Sequence, residues 1–185
     1  MQKTVSARQS NRTRNITLTA IVAALYAAIT LVIAPIGFGP VQLRLSEGLN
    51  HLSAWNKRYI LALGLGVFIA NLISPLGWVD WIFGTAGTLI MTTVTYLLTR
   101  KVTSTLVKIL ISSFIVSTLG MGILAAEFTF AFNIGASGSF PSGASGGLFS
   151  QLLAYYISVL PGEIVSLIVG GILIFALSKI IKLDK

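Results

Sequence analysis

The sequence predicts an all-helical integral membrane bundle of six spans, one domain over residues 1–185, with both termini on the cytoplasmic side. Three observations carry that prediction. The chain is 55% apolar and 10% charged, with a mean hydropathy of +0.89. It contains several apolar runs of roughly 18 residues or more, the length a helix needs to cross hydrocarbon. Finally, twelve of the thirteen basic residues fall in alternate gaps between the apolar runs. Lys3, Arg8, Arg12 and Arg14 precede the first run; Lys57 and Arg58 follow the second; Arg100, Lys101 and Lys108 follow the fourth; Lys179, Lys182 and Lys185 close the chain. Short inserted loops keep Lys and Arg inside, so those gaps are cytoplasmic and the number of crossings is even. Arg44 alone falls on the outer side.

Residues 1–15 read as a cytoplasmic N-terminal segment. Span one, residues 16–36, is too long for a signal-peptide core and is followed by further spans, so it reads as a retained helix ending at Pro35 and Gly37. The outer loop 38–44 holds Gly39 and Pro40. Span two, residues 45–55, carries Ser46, Glu47, Asn50 and His51. As an α-helix it would cover only about 16 Å, too little for a core of about 30 Å, so it is expected to lie among other helices. Span three covers 59–73, and Ser74-Pro75-Leu76-Gly77 makes an outer turn. Span four covers 79–99 and stops at Arg100. Span five covers 106–132. Residues 133–147, rich in Gly, Ser and Ala, form a mobile outer loop. Span six covers 148–181 and is expected to break at Pro161-Gly162, because proline removes a backbone hydrogen bond.

The charge of +8 does not indicate nucleic acid, because the basic residues are divided among short segments beside apolar spans. The chain has no cysteine, which excludes disulfides and thiol chemistry. His51 is the single histidine, a poor basis for a metal site, so no metal and no intrinsic cofactor are expected.

Ionisable groups within a bilayer are expensive and mark function. Here they are Glu47, Asp80, Glu127 and Glu163, with Arg44 and His51 nearby. Glu47 and His51, four apart, share one face of an α-helix; Arg44 and Glu47, three apart, could also pair. Gln42, Asn50 and Asn71 add neutral hydrogen-bonding groups. The expected substrate-binding set is Gln42, Arg44, Glu47, Asn50, His51, Asn71, Asp80, Trp81 and Glu127. Trp78, Trp81 and Phe83 either stack on a planar ring or anchor at the interface.

Span one carries Ala20, Ala24 and Ala28 on one stripe and Ala23 and Ala27 on the next. Such spacing lets helix backbones approach closely, within the chain or against a partner. Gly135-Ala136-Ser137-Gly138 and Gly143-Ala144-Ser145-Gly146 match a G-x-S-G pattern, which keeps an intramembrane serine protease with His51 as base among the alternatives. A purely structural membrane protein is a third reading. There is no G-x-x-x-x-G-K-[ST] motif, so any ATP use falls to a separate chain.

The stretch from Ala34 through Pro35, Gly39, Gln42, Arg44 and Ser46 to Glu47 resembles the P-x-x-x-G-x-x-Q-x-R-x-S-E signature of the QueT-type family. Gly66 to Gly77, followed by Asp80, Phe83, Gly84 and Thr85, resembles that family's second block, and Gly162-Glu163 its third. The resemblance covers 16–179. It implies a substrate-binding S-component of an energy-coupling factor (ECF) transporter, a type of ABC transporter. Such a component has six helices and an outward pocket, and it associates with a transmembrane scaffold and two ATPases in a prokaryotic cell membrane. It implies scaffold docking through Ala20, Ala24 and Ala28. It implies a vitamin-type ligand: a queuosine precursor, a small deazapurine with an aminomethyl cation for Glu47, Asp80 or Glu127, or cobalamin (vitamin B12), as in a related CbrT-like branch, with 133–147 as a lid.

Overall fold

A computed structural model describes residues 2–38, 42–134 and 147–184. Among these residues all regular structure is helical. Helix α1 runs Gln2–Val32. It begins well before residue 16 because nothing in residues 2–32 is proline or glycine. Pro35 then starts a single turn, α2 (Ala34–Gly37), where its missing N–H is harmless. The helices α3 (Arg58–Asn71), α4 (Trp78–Thr99), α5 (Thr105–Ile115), α6 (Met121–Asn133) and α7 (Leu148–Ile180) follow. Four stretches are long and apolar enough to cross a membrane: Arg12–Val32, Trp78–Thr99, Thr105–Asn133 and Leu148–Ile180.

The fifth span, expected over 106–132, is one apolar stretch, Thr105–Asn133, in which a π-helical turn at Val116–Gly120 joins α5 to α6. One expectation is corrected. The last span does not break at Pro161, which sits inside a continuous helix. Pro161 faces outward, so its ring meets no neighbouring helix.

The largest departure is span two. Leu45–Ala54 is a 3-10 helix, not an α-helix. At about 2.0 Å per residue it reaches roughly 20 Å, against about 15 Å for the same residues as α-helix. Runs of this length are uncommon. It forms the axis of the bundle, contacting α1, α3, α4, α5 and α7, and nearly every side chain on it is buried.

Close backbone approach holds it there. A Cβ on Gly48 would lie 2.6 Å from the Gly170 Cα and 2.7 Å from the Ser166 carbonyl oxygen on α7. Both are backbone atoms, so relief requires moving a helix. Gly48→Ala is expected to destabilise the protein by about 1–3 kcal/mol, the usual range for overpacking. A thermal midpoint in detergent equal to that of the parent would refute this contact.

The alanine stripes of α1 divide. Ala23 and Ala27 are buried beside α3, where a Cβ on Gly66 would meet the Ala23 carbonyl at 3.0 Å. Ala20, Ala24 and Ala28 face outward or nearly so.

Polar ties gather the basic segments at one end. Arg58 donates from Nη1 to Asn15 Oδ1 at 2.7 Å and from Nη2 to the Leu183 carbonyl at 3.2 Å. Asn56 Nδ2 donates to the Asp184 carbonyl at 3.0 Å. Arg100, Lys108 and Lys182 line a cavity at that same end. Asn15 on α1 therefore lies near Leu183, while Phe38 and Arg44 lie beyond the opposite end of α1.

Candidate functional site

The polar centre forms where the start of the 3-10 helix meets α1, α4, α6 and α7. Arg44 directly precedes that helix and is 5% exposed. Its Nη2 lies 3.5 Å from Asp80 Oδ2 on α4. Its Nε donates to the Gly37 carbonyl at 3.3 Å, and the guanidinium sits 4.9 Å from the centre of the Phe38 ring. The one basic residue that breaks the topology rule is thus buried beside a carboxylate, far from the basic rim. Asn71 Nδ2 steadies Asp80, donating to its carbonyl at 2.9 Å and to Oδ1 at 3.3 Å.

Glu47 is held from two sides. Tyr26 on α1 donates its hydroxyl to Oε1 at 2.6 Å, and Asn50 donates its side-chain amide to Oε2. Glu47 and Asn50 are three apart, the repeat at which side chains align on a 3-10 helix. That repeat corrects the expected pairing of Glu47 with His51. His51 turns instead towards α7, where Nε2 lies 3.1 Å from the Leu167 carbonyl oxygen. Arg44 pairs with Asp80 rather than with Glu47. Thr30 and Ser46 join hydroxyls at 2.6 Å and close the α1 side.

Glu127 on α6 is 1% exposed, and neither carboxylate oxygen receives a hydrogen bond among the described residues. It lies within electrostatic reach of Asp80 and Arg44. Glu163 on α7 is 2% exposed and lies within reach of Glu47 and Arg44; its Oε1 has no hydrogen-bond partner among the described residues. Four carboxylates therefore surround one guanidinium. Buried charges normally occur in matched, hydrogen-bonded pairs, so a surplus of acid points to a group that arrives from outside.

A cavity of about 30 Å³ lies between these groups, lined by Arg44, Glu47, Glu127, Phe83, Gly84 and Gly120 among others. That is room for about one water. Gln42 is buried at the edge, in a left-handed conformation (φ 47°), with its Oε1 unpaired. Trp81 is half-buried and its indole Nε1 has no acceptor. Trp78 is 52% exposed, as an interfacial anchor would be. Phe83 packs 5.4 Å from Phe130.

Of the expected binding set, the structure brings Arg44, Glu47, Asn50, Asn71, Asp80 and Glu127 together, and turns His51 away from Glu47 to the Leu167 carbonyl on α7. Sequence reasoning missed Tyr26, and named Glu163 as a functional candidate without placing it in the binding set. Glu163 carried a signal, being an ionisable residue in an apolar span. Tyr26 carried a weaker one, since a buried phenol needs a partner. Ser137, Ser145 and all of the expected 133–147 lid except residues 133, 134 and 147 fall outside the described residues.

A polytopic helical membrane protein with an acid-rich chamber buried at the end away from its basic rim is a solute-handling architecture rather than a soluble enzyme's. The chain belongs to the QueT transporter family, whose model matches residues 16–179. It is 42% identical over 84 residues to the queuosine precursor transporter QueT of Lactococcus lactis subsp. cremoris (strain MG1363). That match covers 44% of this chain and 49% of the relative, so the chain spans about half the length of the curated relative it matches. No solved structure gives a significant match. Membership of a transporter family sets the intramembrane protease reading aside.

Proposed function

We propose that this chain is the substrate-capturing S-component of an ECF transporter in a prokaryotic cell membrane, and that it takes up a queuosine precursor. In this reading the chain crosses the bilayer six times, with both termini and the basic rim in the cytoplasm. The 3-10 helix makes one crossing inside the ring of longer helices.

The observation that carries the ligand assignment is the four-to-one excess of buried carboxylates over guanidinium. A precursor with an aminomethyl cation would offset part of that acidic surplus. Glu47 is already engaged by Tyr26 and Asn50, and Asp80 by Arg44 and Asn71. Glu127, which lies against Asp80 and receives no hydrogen bond from an N–H or hydroxyl donor among the described residues, is the natural partner for the cation, and Glu163 the next. Gln42 and Trp81 carry unpaired groups suited to the edge of a planar heterocycle, and Phe83 offers it a face. A compact acidic chamber favours this small cation over cobalamin. Capture requires the cavity to widen, and Gly84 on α4 and Gly120 in the π-turn, which carry no side chain, both line it.

A binding titration of the solubilised protein against an aminomethyl deazapurine and against cobalamin tests the reading. Saturable binding of the deazapurine alone is expected; saturable binding of cobalamin alone would overturn the assignment.

The outward alanine stripe supports docking to a transmembrane scaffold that carries two ATPases, which supply the ATP hydrolysis. Ala24→Trp places a large side chain on that stripe. Overpacking an interface costs about 1–3 kcal/mol, so co-purification with the scaffold should fall roughly tenfold or more, while deazapurine affinity stays unchanged. Undiminished complex formation would remove the stripe from the interface.

A further inference from the structure

A second site lies at the opposite end of the molecule from the acidic chamber. There a cavity of about 460 Å³ opens between the start of α5 and the end of α7. Arg100, Lys108 and Lys182 line it, together with the hydroxyl-bearing Thr103, Thr105 and Ser178; Asp184 is its one acid. Three cations against one carboxylate leave a surplus of two positive charges. The Lys108 ammonium lies 5.1 Å from the centre of the Trp55 ring, which fixes its stem against the bundle.

Directly beside this basic cavity an apolar groove of about 530 Å³ runs between the same two helices. Leu106, Leu110, Ile168 and Ile172 form its walls, and each is more than half exposed. The two cavities share helical turns. Thr105 and Lys108 face one while Leu106 and Ile109 face the other; Ser178 faces one while Phe175 and Ala176 face the other.

An anionic phospholipid has both matching parts, a phosphate and an acyl chain joined by a short linker. Basic pockets between membrane helices on the cytoplasmic side suit such headgroups. We propose that the cavity between α5 and α7 binds one anionic phospholipid of the cytoplasmic leaflet, headgroup on Arg100, Lys108 and Lys182, acyl chain in the adjoining groove. The inference rests on the chain spanning the membrane with its basic end inside; it does not depend on the ligand of the acidic chamber.

Native mass spectrometry on the delipidated full-length protein in detergent tests it. Phosphatidylglycerol, phosphatidylcholine with matched chains, and soluble glycerol phosphate are titrated separately and in competition. Phosphatidylglycerol should bind at least roughly tenfold better than phosphatidylcholine. Lys108→Gln combined with Lys182→Gln should weaken phosphatidylglycerol roughly 30-fold, from about one interfacial charge contribution per lysine. Ile172→Trp, which fills the groove, should weaken both lipids. Deazapurine binding should be unchanged in both variants, which separates failure here from failure of the capture reading.

Equal binding of the two lipids would mean ordinary bilayer contact and overturn the proposal. So would full displacement by glycerol phosphate at equal concentration, which would indicate a soluble phosphate site with an idle groove. Unchanged phosphatidylglycerol affinity in the double lysine variant would overturn it as well.

Discussion

Arg44→Ala is expected to lower the stability of the protein by about 3–5 kcal/mol, the range for removing one member of a buried ion pair. In a chain of this length that is a fall of about 6–20 °C in the thermal midpoint. Asp80, 1% exposed, would keep Asn71 and the neighbouring Glu127 carboxyl group but no cation, and Glu47, Glu127 and Glu163 would lose the guanidinium near them. The loss is not a matter of packing alone. Combining Arg44→Ala with Asp80→Asn should therefore cost less than the two single changes added together, because the second change removes the stranded charge. Additive losses in thermal unfolding would show that Arg44 and Asp80 do not act as a pair.

Glu127→Gln is expected to weaken deazapurine capture by about 2–5 kcal/mol, as when one member of a buried interfacial charge pair is removed. That is roughly a 30- to 5000-fold rise in Kd. The side chain keeps its shape and loses its charge. Because neither Glu127 oxygen accepts a hydrogen bond among the described residues, the folded state should tolerate the change, which leaves the side chain's volume as it was. Affinity should thus fall while stability holds. Glu47→Gln behaves differently, since it also disturbs the bonds from Tyr26 and Asn50 and should lose both. Isothermal titration at constant pH reads the first quantity and thermal unfolding the second. If Glu127→Gln bound the deazapurine as tightly as the parent, Glu127 would not be the partner of the cation.

Much of the fold was legible because hydrocarbon permits few solutions. Backbone groups must be satisfied within each segment, so the long apolar runs could only be helices, and α4 begins and ends within a residue of its expected limits. The corrections arise where the pattern of apolar residues carries no information about pitch. In residues 45–55 the alternation of polar and apolar groups fits an α-helix as well as a 3-10 helix. What selects the longer form is the reach required between Arg44, beside Asp80, and Trp55, beside Lys108 at the basic end. The π-turn at Val116–Gly120 and the unbroken course of α7 through Pro161 are likewise set by neighbours rather than by local propensity.

The site followed the same division. Arg44, Glu47, Asp80 and Glu127 could be named from the sequence because a charge in an apolar span carries a desolvation penalty that chance does not sustain. Their partners could not. Asn50 rather than His51 stands beside Glu47 because the helix repeats every three residues, and Tyr26 reaches Glu47 from 21 residues away.

By itself the sequence determined that the protein lives in a membrane, where its charged rim lies, and which few ionisable side chains the bilayer would have to tolerate. Those are properties of transfer from water to hydrocarbon, and composition reports them directly. Only the tertiary structure decided which carboxylate is engaged by its neighbours and which is left open. That depends on the pitch of one buried helix and on contacts between residues far apart in the chain, neither of which the local pattern encodes.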